Sequence, residues 1–267
     1  MTAGEAATRL APGDVIRIWM DRPGSAKRPV ALGDERDLPI LHEDDAIVVL
    51  NKPAGVLAVP LDLRRGARSV FDDLNQYLKH RRRPRAFVVH RIDRDTSGLV
   101  LFAKTAAAQQ QLKEQFKRRQ PERVYQAVVF GAPDPASGTW RDRLAWDDKT
   151  LIQKPAVPRD SRGKEAVCRY RVLEPLRGAS LIEVSLVTGR QNQIRIQARI
   201  HGHSVVGERR YSNAAGEQPI AFDRQALHAY RLVFTHPTDD RPMRFEAPLP
   251  PDMAGLIERL RRRRTDV

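Results

Sequence analysis

The chain has 267 residues, with 47 Lys and Arg against 33 Asp and Glu, a formal net charge of +14. That length supports one large or two modest domains with a real core, and a hydrophobic content of 41% argues against global disorder. A single cysteine, Cys168, excludes an intramolecular disulfide and every multi-cysteine zinc or iron–sulfur arrangement.

The first ten residues contain no apolar h-region, so no secretory signal is expected. The apolar runs at 46–50 and 99–103 are far too short for a bilayer span, which needs about 20 residues. A soluble, cytoplasmic protein is expected. Residues 13–18 read as a short strand, and the charged stretch 21–37, with its Pro and Gly, as a linker. The compact region then begins near Pro39. A buried-type strand over 45–50 stops at Asn51-Lys-Pro-Ala-Gly55 by turn chemistry, where Lys52 anchors the turn before Pro53. Residues 69–80 carry Val70, Leu74, Tyr77 and Leu78 at helical spacing, with Ser69 as N-cap. Strands at 86–89 and 98–103 flank a polar loop. Thr105 caps a helix running through Arg119, with Leu112 and Phe116 as an i,i+4 apolar pair. Further strands are expected at 123–130, 165–173, 181–187, 226–234 and 243–245, with 131–138 as loop. Ala166, Cys168, Tyr170 and Val172 share one strand face, so Cys168 reads as a small core residue. A short helix over 193–200 is stopped by Gly202 at C′, and a basic helix follows from Asp252. No regular βαβ period and no solenoid repeat is present. The pattern is α+β with a mixed, largely antiparallel sheet and flanking helices.

Arg outnumbers Lys 38 to nine. Genome base composition accounts for part of that excess. The remainder fits a surface that grips phosphates, because guanidinium forks match phosphate oxygens bidentately, and it points to nucleic acid as partner. The loop Lys79-His-Arg-Arg-Arg-Pro-Arg85 has no helix end to explain it, and Lys79, Arg81, Arg82 and Arg83 are expected to contact RNA phosphates. The basic run 117–119 complements a helix C-terminus, and 261–264 reads as a solvated end or a second contact. Aromatic residues make up 6% of the chain, too few for a platform that tracks single strands by stacking. Readout should rest on phosphates, shape and a single displaced base.

The densest polar run between two apolar strands is His90-Arg-Ile-Asp-Arg-Asp-Thr-Ser-Gly98, a loop on rigid supports where active sites are usually built. Asp93 and Asp95 lie two residues apart in it. Turn-capping explains such carboxylates as well as chemistry does. A glycosidase-style pair is disfavoured, because i and i+2 in a turn rarely place both carboxyls on one substrate. A second run is Thr188-Gly-Arg-Gln-Asn-Gln-Ile-Arg-Ile-Gln197. There Arg190 and Arg195 frame polar amides, and Asn192, Gln193 and the helix N-terminus offer donors to an anion.

Together these segments resemble the RluA-type pseudouridine synthases. His90 to Gly98 fits that family's His-Arg-Leu-Asp-x-x-Thr-Ser-Gly signature with Ile92 for Leu. Asn51 to Gly55 fits its Asn-Lys-Pro-x-Gly segment, and Tyr125-Gln-Ala127 its Tyr-x-Ala strand. Thr188 to Arg195 fits Thr-Gly-Arg-x-His-Gln-Ile-Arg with Asn192 for His, and Leu227-His-Ala229 fits Leu-His-Ala. The family's Gly-His-Pro-Ile-x-Gly-Asp-x-x-Tyr-Gly becomes Gly202 to Ser212, with Ser204, Glu208 and Ser212 as departures. These departures bear on substrate or local packing. The resemblance covers about 37–251. It leaves 1–36 as an N-terminal remnant and linker and 252–267 as a basic C-terminal helix and tail. Many relatives carry an N-terminal RNA-binding domain, and here only 13–18 resembles its end.

The resemblance implies isomerisation of uridine to pseudouridine in rRNA or tRNA, by a monomer, with no metal or cofactor. By alignment with the family, Asp93 is the essential aspartate, acting as nucleophile or as base at the sugar. Arg195 pairs with it, and an adjacent guanidinium favours the carboxylate form and fixes its direction. Tyr125 stacks on the target base and assists proton removal from carbon 5. Arg91 contacts RNA near the vacated position of the flipped base, and Arg190 belongs to the RNA-binding set. His90 and Thr96 shape the loop. The target uridine leaves its stack at a cost of a few kcal/mol. A non-catalytic basic RNA-binding protein would share the charge yet need no aspartate.

Overall fold

The computed structural model describes residues 38–60, 68–83, 85–148, 152–157, 159–211 and 220–262. The strand read at 13–18, the linker before residue 38, Ser212 and the tail past Arg262 lie outside the described residues.

Local sequence sets the element ends. Ser69 begins α1 (Val70–His80) through a reciprocal capping box with Asp72. Thr105 accepts from the Ala108 amide to start α2 (Ala106–Lys117). Helix α3 (Gln193–Ile200) ends at His201, followed by Gly202 at φ 82° in the C′ position. Each of these agrees with the sequence reading to within a residue or two.

The strands are β1 (Ile40–Glu43), β2 (Ile47–Lys52), β3 (Phe87–Val88), β4 (Ser97–Ala103), β5 (Glu122–Phe130), β6 (Ser137–Asp147), β7 (Ile152–Pro155), β8 (Lys164–Leu176), β9 (Ala179–Leu186), β10 (Leu227–Thr235) and β11 (Pro242–Glu246). They form one sheet in the order β1-β2-β4-β10-β5-β9-β8-β6-β7, with β11 on β10 and β3 on β4. Every named pair is antiparallel except β4 with β10. The class is therefore α+β with a mixed, largely antiparallel sheet. Strands β1, β6 and β7 were not legible as strands. In β6, Trp140 and Leu144 are buried, but Asp142 stands between them in the same alternation, accepting from Gln197 and His201 of the α3 segment. A carboxylate on the inner face breaks the apolar period.

The expected Ala166, Cys168, Tyr170 and Val172 face is present, with Cys168, Tyr170 and Val172 opposite Leu186, Val184 and Ile182. Burial, with the Asp142 charge adding, pushes the Cys168 thiol up to about 12, so it is an inert core group. Helix α4 (Pro251–Arg262) buries Met253, Leu256, Ile257 and Leu260, an i, i+3, i+4, i+7 stripe, in the same core as Ala127, Ile182 and Val184. Asp252 at its start receives two hydrogen bonds from Arg224 (2.7 and 3.0 Å). The helix that opens the segment 252–267 is thus packed structure, not a detached tail. Among the described residues no helix is long and apolar enough to cross a membrane.

One junction positions the site. The parallel register pairs Gly98 of β4 with Ala229 of β10, and Ala229 pairs in turn with Tyr125 of β5. Gly98 has φ +109°, and a Cβ there would lie 2.3 Å from the Ala229 carbonyl oxygen. Only glycine permits both the backbone turn and this approach.

Candidate active site

Three segments far apart in sequence meet at that junction: the loop entering β4, the start of β10 and the middle of β5. The loop is fastened from below. Lys52, fully buried, donates Nζ to the carbonyls of Pro53, Val56 and Arg94, each at 2.8 Å. Lys52 therefore ties the turn after β2 to the signature loop, beyond the local anchoring read from sequence. The Arg94 carbonyl also accepts from the Gly55 amide at 3.0 Å, and the Thr96 amide donates to the Asp93 carbonyl at 3.2 Å. Burial pushes Lys52 down to about 7, against the pull of the Asp95 and Asp93 charges. Thr96 accepts from Gln225 (3.3 Å), and Ser97 bonds the buried His228 (2.9 Å). His90 accepts the Leu101 amide at Nε2 (3.1 Å) and stacks on Phe116 at 4.9 Å. Both His90 and Thr96 hold the loop's shape.

Asp93 and Asp95 have different surroundings. The Asp95 carboxylate is chelated by its neighbour Arg94, both contacts at 3.2 Å, and its carbonyl is held by Arg224. Asp93 Oδ2 instead receives Arg195 Nη1 at 3.0 Å, a pairing 102 residues apart in sequence. Arg195 comes from α3. Its Nε and Nη2 chelate Glu208 at 2.5 and 2.8 Å, and Nη1 also donates to Asn192 Oδ1 at 2.7 Å. Glu208 further accepts the amides of Arg210 and Tyr211. Side-chain exposure separates the two carboxylates that touch Arg195: Glu208 has 0%, Asp93 27%. Asp93 is the one a substrate can reach, and Glu208 is the internal clamp. Burial alone would lower the Arg195 pKa, but the Glu208 hydrogen bonds and the Asp93 charge outweigh it and hold it above the ordinary value. Burial alone would raise that of Glu208, and Arg195 brings it below the usual range. The trio is a fixed cation with one carboxylate open to a ligand.

Tyr125 is half-buried on β5, between the start of β10 and β9. Burial pushes its phenol up to about 12; the Arg123 charge opposes that shift and the Asp93 charge adds to it. Asp93 is thus in contact with Arg195, and Tyr125 stands on β5 opposite the start of β10, near enough for the Asp93 charge to act on its phenol.

The other expected residues lie outside this group. Lys79, Arg81, Arg82 and Arg83 are exposed, but the premise that no helix end explains the cluster is corrected. Lys79 lies in the last turn of α1 and Arg81 is its C-cap, so the first part of the cluster also complements a helix C-terminus, with Arg81 4.0 Å above the Tyr77 ring. Arg91 is exposed two residues before Asp93. Arg190 donates Nε to the Glu165 carbonyl at 3.0 Å, on the surface. The anion-donor reading of Asn192 and Gln193 is corrected. Asn192 has φ 55° and gives its amide oxygen to Arg195, while Gln193 is turned inward onto Thr188, Val167 and Gln197. Glu208 and Asn192 were noted only as departures, and their role as partners of Arg195 was missed. The available signal was charge balance, since a buried arginine needs more acceptors than one carboxylate provides.

Comparison with known proteins gives the fold first. The structure of human RNA pseudouridylate synthase domain containing 4 matches with a TM-score of 0.70 at 22% identity, over 85% of this chain and 95% of that one. The human domain containing 1 protein matches at 0.65 and 25% identity, over 81% and 85%. The fold is that of pseudouridine synthases. In sequence, the model of the RNA pseudouridylate synthase family matches residues 46–199. An RNA pseudouridine synthase of Bacillus subtilis is 37% identical over 267 residues, covering 98% of this chain and 84% of that protein. The ribosomal large subunit pseudouridine synthase D of Zymomonas mobilis is 38% identical over 247 residues, covering 86% and 75%. The chain belongs to the RluA-type RNA pseudouridine synthases, isomerases that act on RNA.

Proposed function

We propose that this synthase isomerises a uridine of structured ribosomal or transfer RNA, with Asp93 as the catalytic carboxylate. Large-subunit ribosomal RNA is the favoured substrate, because several similar relatives are named for it. The observation that carries the reading is the 3.0 Å contact of Arg195 with the partly exposed Asp93, at the junction of β4, β10 and β5 that also carries Tyr125.

The chemistry follows from these groups. Asp93 acts at the sugar, as nucleophile or base. The bond between uracil N1 and C1′ breaks, the base turns, and C5 bonds to C1′. The proton on C5 is lost and one is taken up at N1, so atoms and charge balance without oxidant or hydrolysis. Arg195 keeps the carboxylate aimed, and Glu208 keeps Arg195 still. A phenol pushed up to about 12 is protonated at neutral pH, which favours stacking on the uracil as the first duty of Tyr125. Arg91 occupies the helical position that the flipped base vacates. Lys79, Arg81, Arg82, Arg83 and Arg190 supply phosphate contacts. The catalytic domain is proposed to run from about residue 37 through α4, whose apolar stripe shares its core. It acts in the cytoplasm, as a monomer. The test is release of tritium from RNA labelled at uracil carbon 5, with pseudouridine mapped in total RNA from cells lacking the gene and from their parent. A map identical in both would overturn the substrate assignment.

A further inference from the structure

Arg123 stands apart from the other partly buried arginines near the site. Arg195 is bonded to Asp93 and Glu208, and Arg224 to Asp252. Among the described residues the half-buried Arg123 side chain has no hydrogen bond and no carboxylate partner, and its Nε is buried without an acceptor. A cation taken partly out of water without a counter-charge is costly, and burial pushes its pKa below the ordinary arginine value.

Its surroundings are specific. Arg123 lies two residues before Tyr125 on β5, and its guanidinium faces the Phe116 ring at 5.7 Å from the centroid. The same ring carries the stacked His90, which opens the Asp93 loop. On another side is Gly189, in the segment leading to Arg195; a Cβ there would lie 2.4 Å from Arg123 Nη1. Arg123 is therefore wedged between the two signature segments, with an aromatic ring fixing its direction and a glycine giving it room. Its charge reaches both His90 and Tyr125.

We propose that Arg123 is an RNA-binding residue that takes a phosphate of the target nucleotide, the RNA supplying the anion that the protein withholds. The proposal rests on the reading of Asp93 and Tyr125 as the site for the flipped uridine. The phosphates flanking that uridine are covalently carried on the sugar that meets Asp93, and Arg123 sits on the strand of Tyr125, beside the segments that carry His90 and Arg195, where such a phosphate can be met. A carboxylate from the protein in that place would repel it.

The test compares the parent with Arg123→Gln and Gly189→Ala. The glutamine removes the charge. The alanine methyl forces the flexible guanidinium end to move while leaving Arg123 in the chain. The probe is a large-subunit ribosomal RNA transcript carrying tritium at uracil carbon 5, bound on filters over roughly 50 to 200 mM salt and turned over in single-turnover reactions. Arg123→Gln is expected to weaken affinity about tenfold, to lower the slope of log affinity against log salt by about 0.7 to 0.9, and to lose more in KM than in rate at saturation. Arg123→Lys, which keeps the charge, restores the slope. Gly189→Ala moves affinity and slope in the same direction as the glutamine. Parental slopes in both Arg123→Gln and Gly189→Ala would overturn the proposal, as would weakened binding with an unchanged slope, which would indicate a neutral contact. The binding comparison needs no turnover. A parent that binds but releases no tritium contradicts the substrate reading, and the slopes still decide Arg123.

Discussion

Glu208 grips Arg195 through Nε and Nη2, at 2.5 and 2.8 Å, and leaves Nη1 to reach Asp93 at 3.0 Å. The accessible carboxylate is thus aimed by an arginine that is itself aimed by a second, fully buried carboxylate. Arg195→Met leaves Glu208 buried without a counter-charge, and unfolding in urea should show a loss of about 3–5 kcal/mol. The double variant Arg195→Met, Glu208→Leu removes both charges and should recover most of that loss. It should remain inactive in tritium release, because nothing orients Asp93. Turnover near the parental rate in the double variant would show that Asp93 needs no guanidinium.

Asp93, Tyr125 and Arg195 were legible as candidates because each sits in a short motif that fits the family's spacing. The strand of Tyr125 and its neighbour were legible because Val124, Ala127 and Val128 on one, and Ile182, Val184 and Leu186 on the other, supply the apolar residues. What stayed hidden depends on distant pairing. The parallel contact of Gly98 with Ala229 joins segments 131 residues apart, and no local pattern specifies it. Glu208 lies 13 residues beyond Arg195 across a helix end and a turn, so its clamp follows only from the fold. Arg123 read as an ordinary polar start to a strand. Strand β6 was missed because Asp142 faces inward to satisfy Gln197 and His201.

The turn after α1 is a surface feature and should behave as one. Arg81 lies over Tyr77, and Arg83 is 3.6 Å from an Asp45 side chain that is 95% exposed, a pair worth little in water. RNA phosphate can replace that partner readily. The triple variant Arg81→Gln, Arg82→Gln, Arg83→Gln should flatten the salt dependence of RNA binding by about 0.7 to 0.9 of slope per lost contact, with thermal stability within about 0.5 kcal/mol of the parent. An unchanged slope would remove this loop from the interface.

His90 gives the fold an acid limit. Burial, with the Arg123 charge adding, pushes its imidazole down to about 3, and Nε2 must stay unprotonated to accept the Leu101 amide. The unfolded chain protonates His90 near pH 6.5 and the folded chain does not. The unfolded state therefore binds the extra proton between pH 6.5 and 3, and stability falls as pH drops through that window. Between pH 7 and 5 the contribution lost is about 1–2 kcal/mol. His90→Gln keeps an acceptor for Leu101 and does not titrate, so its unfolding free energy should vary less with pH than that of the parent. Parallel pH profiles for the two proteins would contradict this assignment.

The decisive comparison is between Asp93 and Asp95. Asp93 is paired with the clamped Arg195 at the junction with Tyr125, whereas Asp95 is chelated by its own neighbour Arg94. Single-turnover tritium release should be measured for Asp93→Asn and Asp95→Asn, with filter binding to the same RNA. Asp93→Asn should abolish pseudouridine formation and leave RNA affinity largely intact, since affinity rests on phosphate contacts. Asp95→Asn should stay active. Turnover surviving in Asp93→Asn, or vanishing only in Asp95→Asn, would contradict the assignment of the catalytic carboxylate.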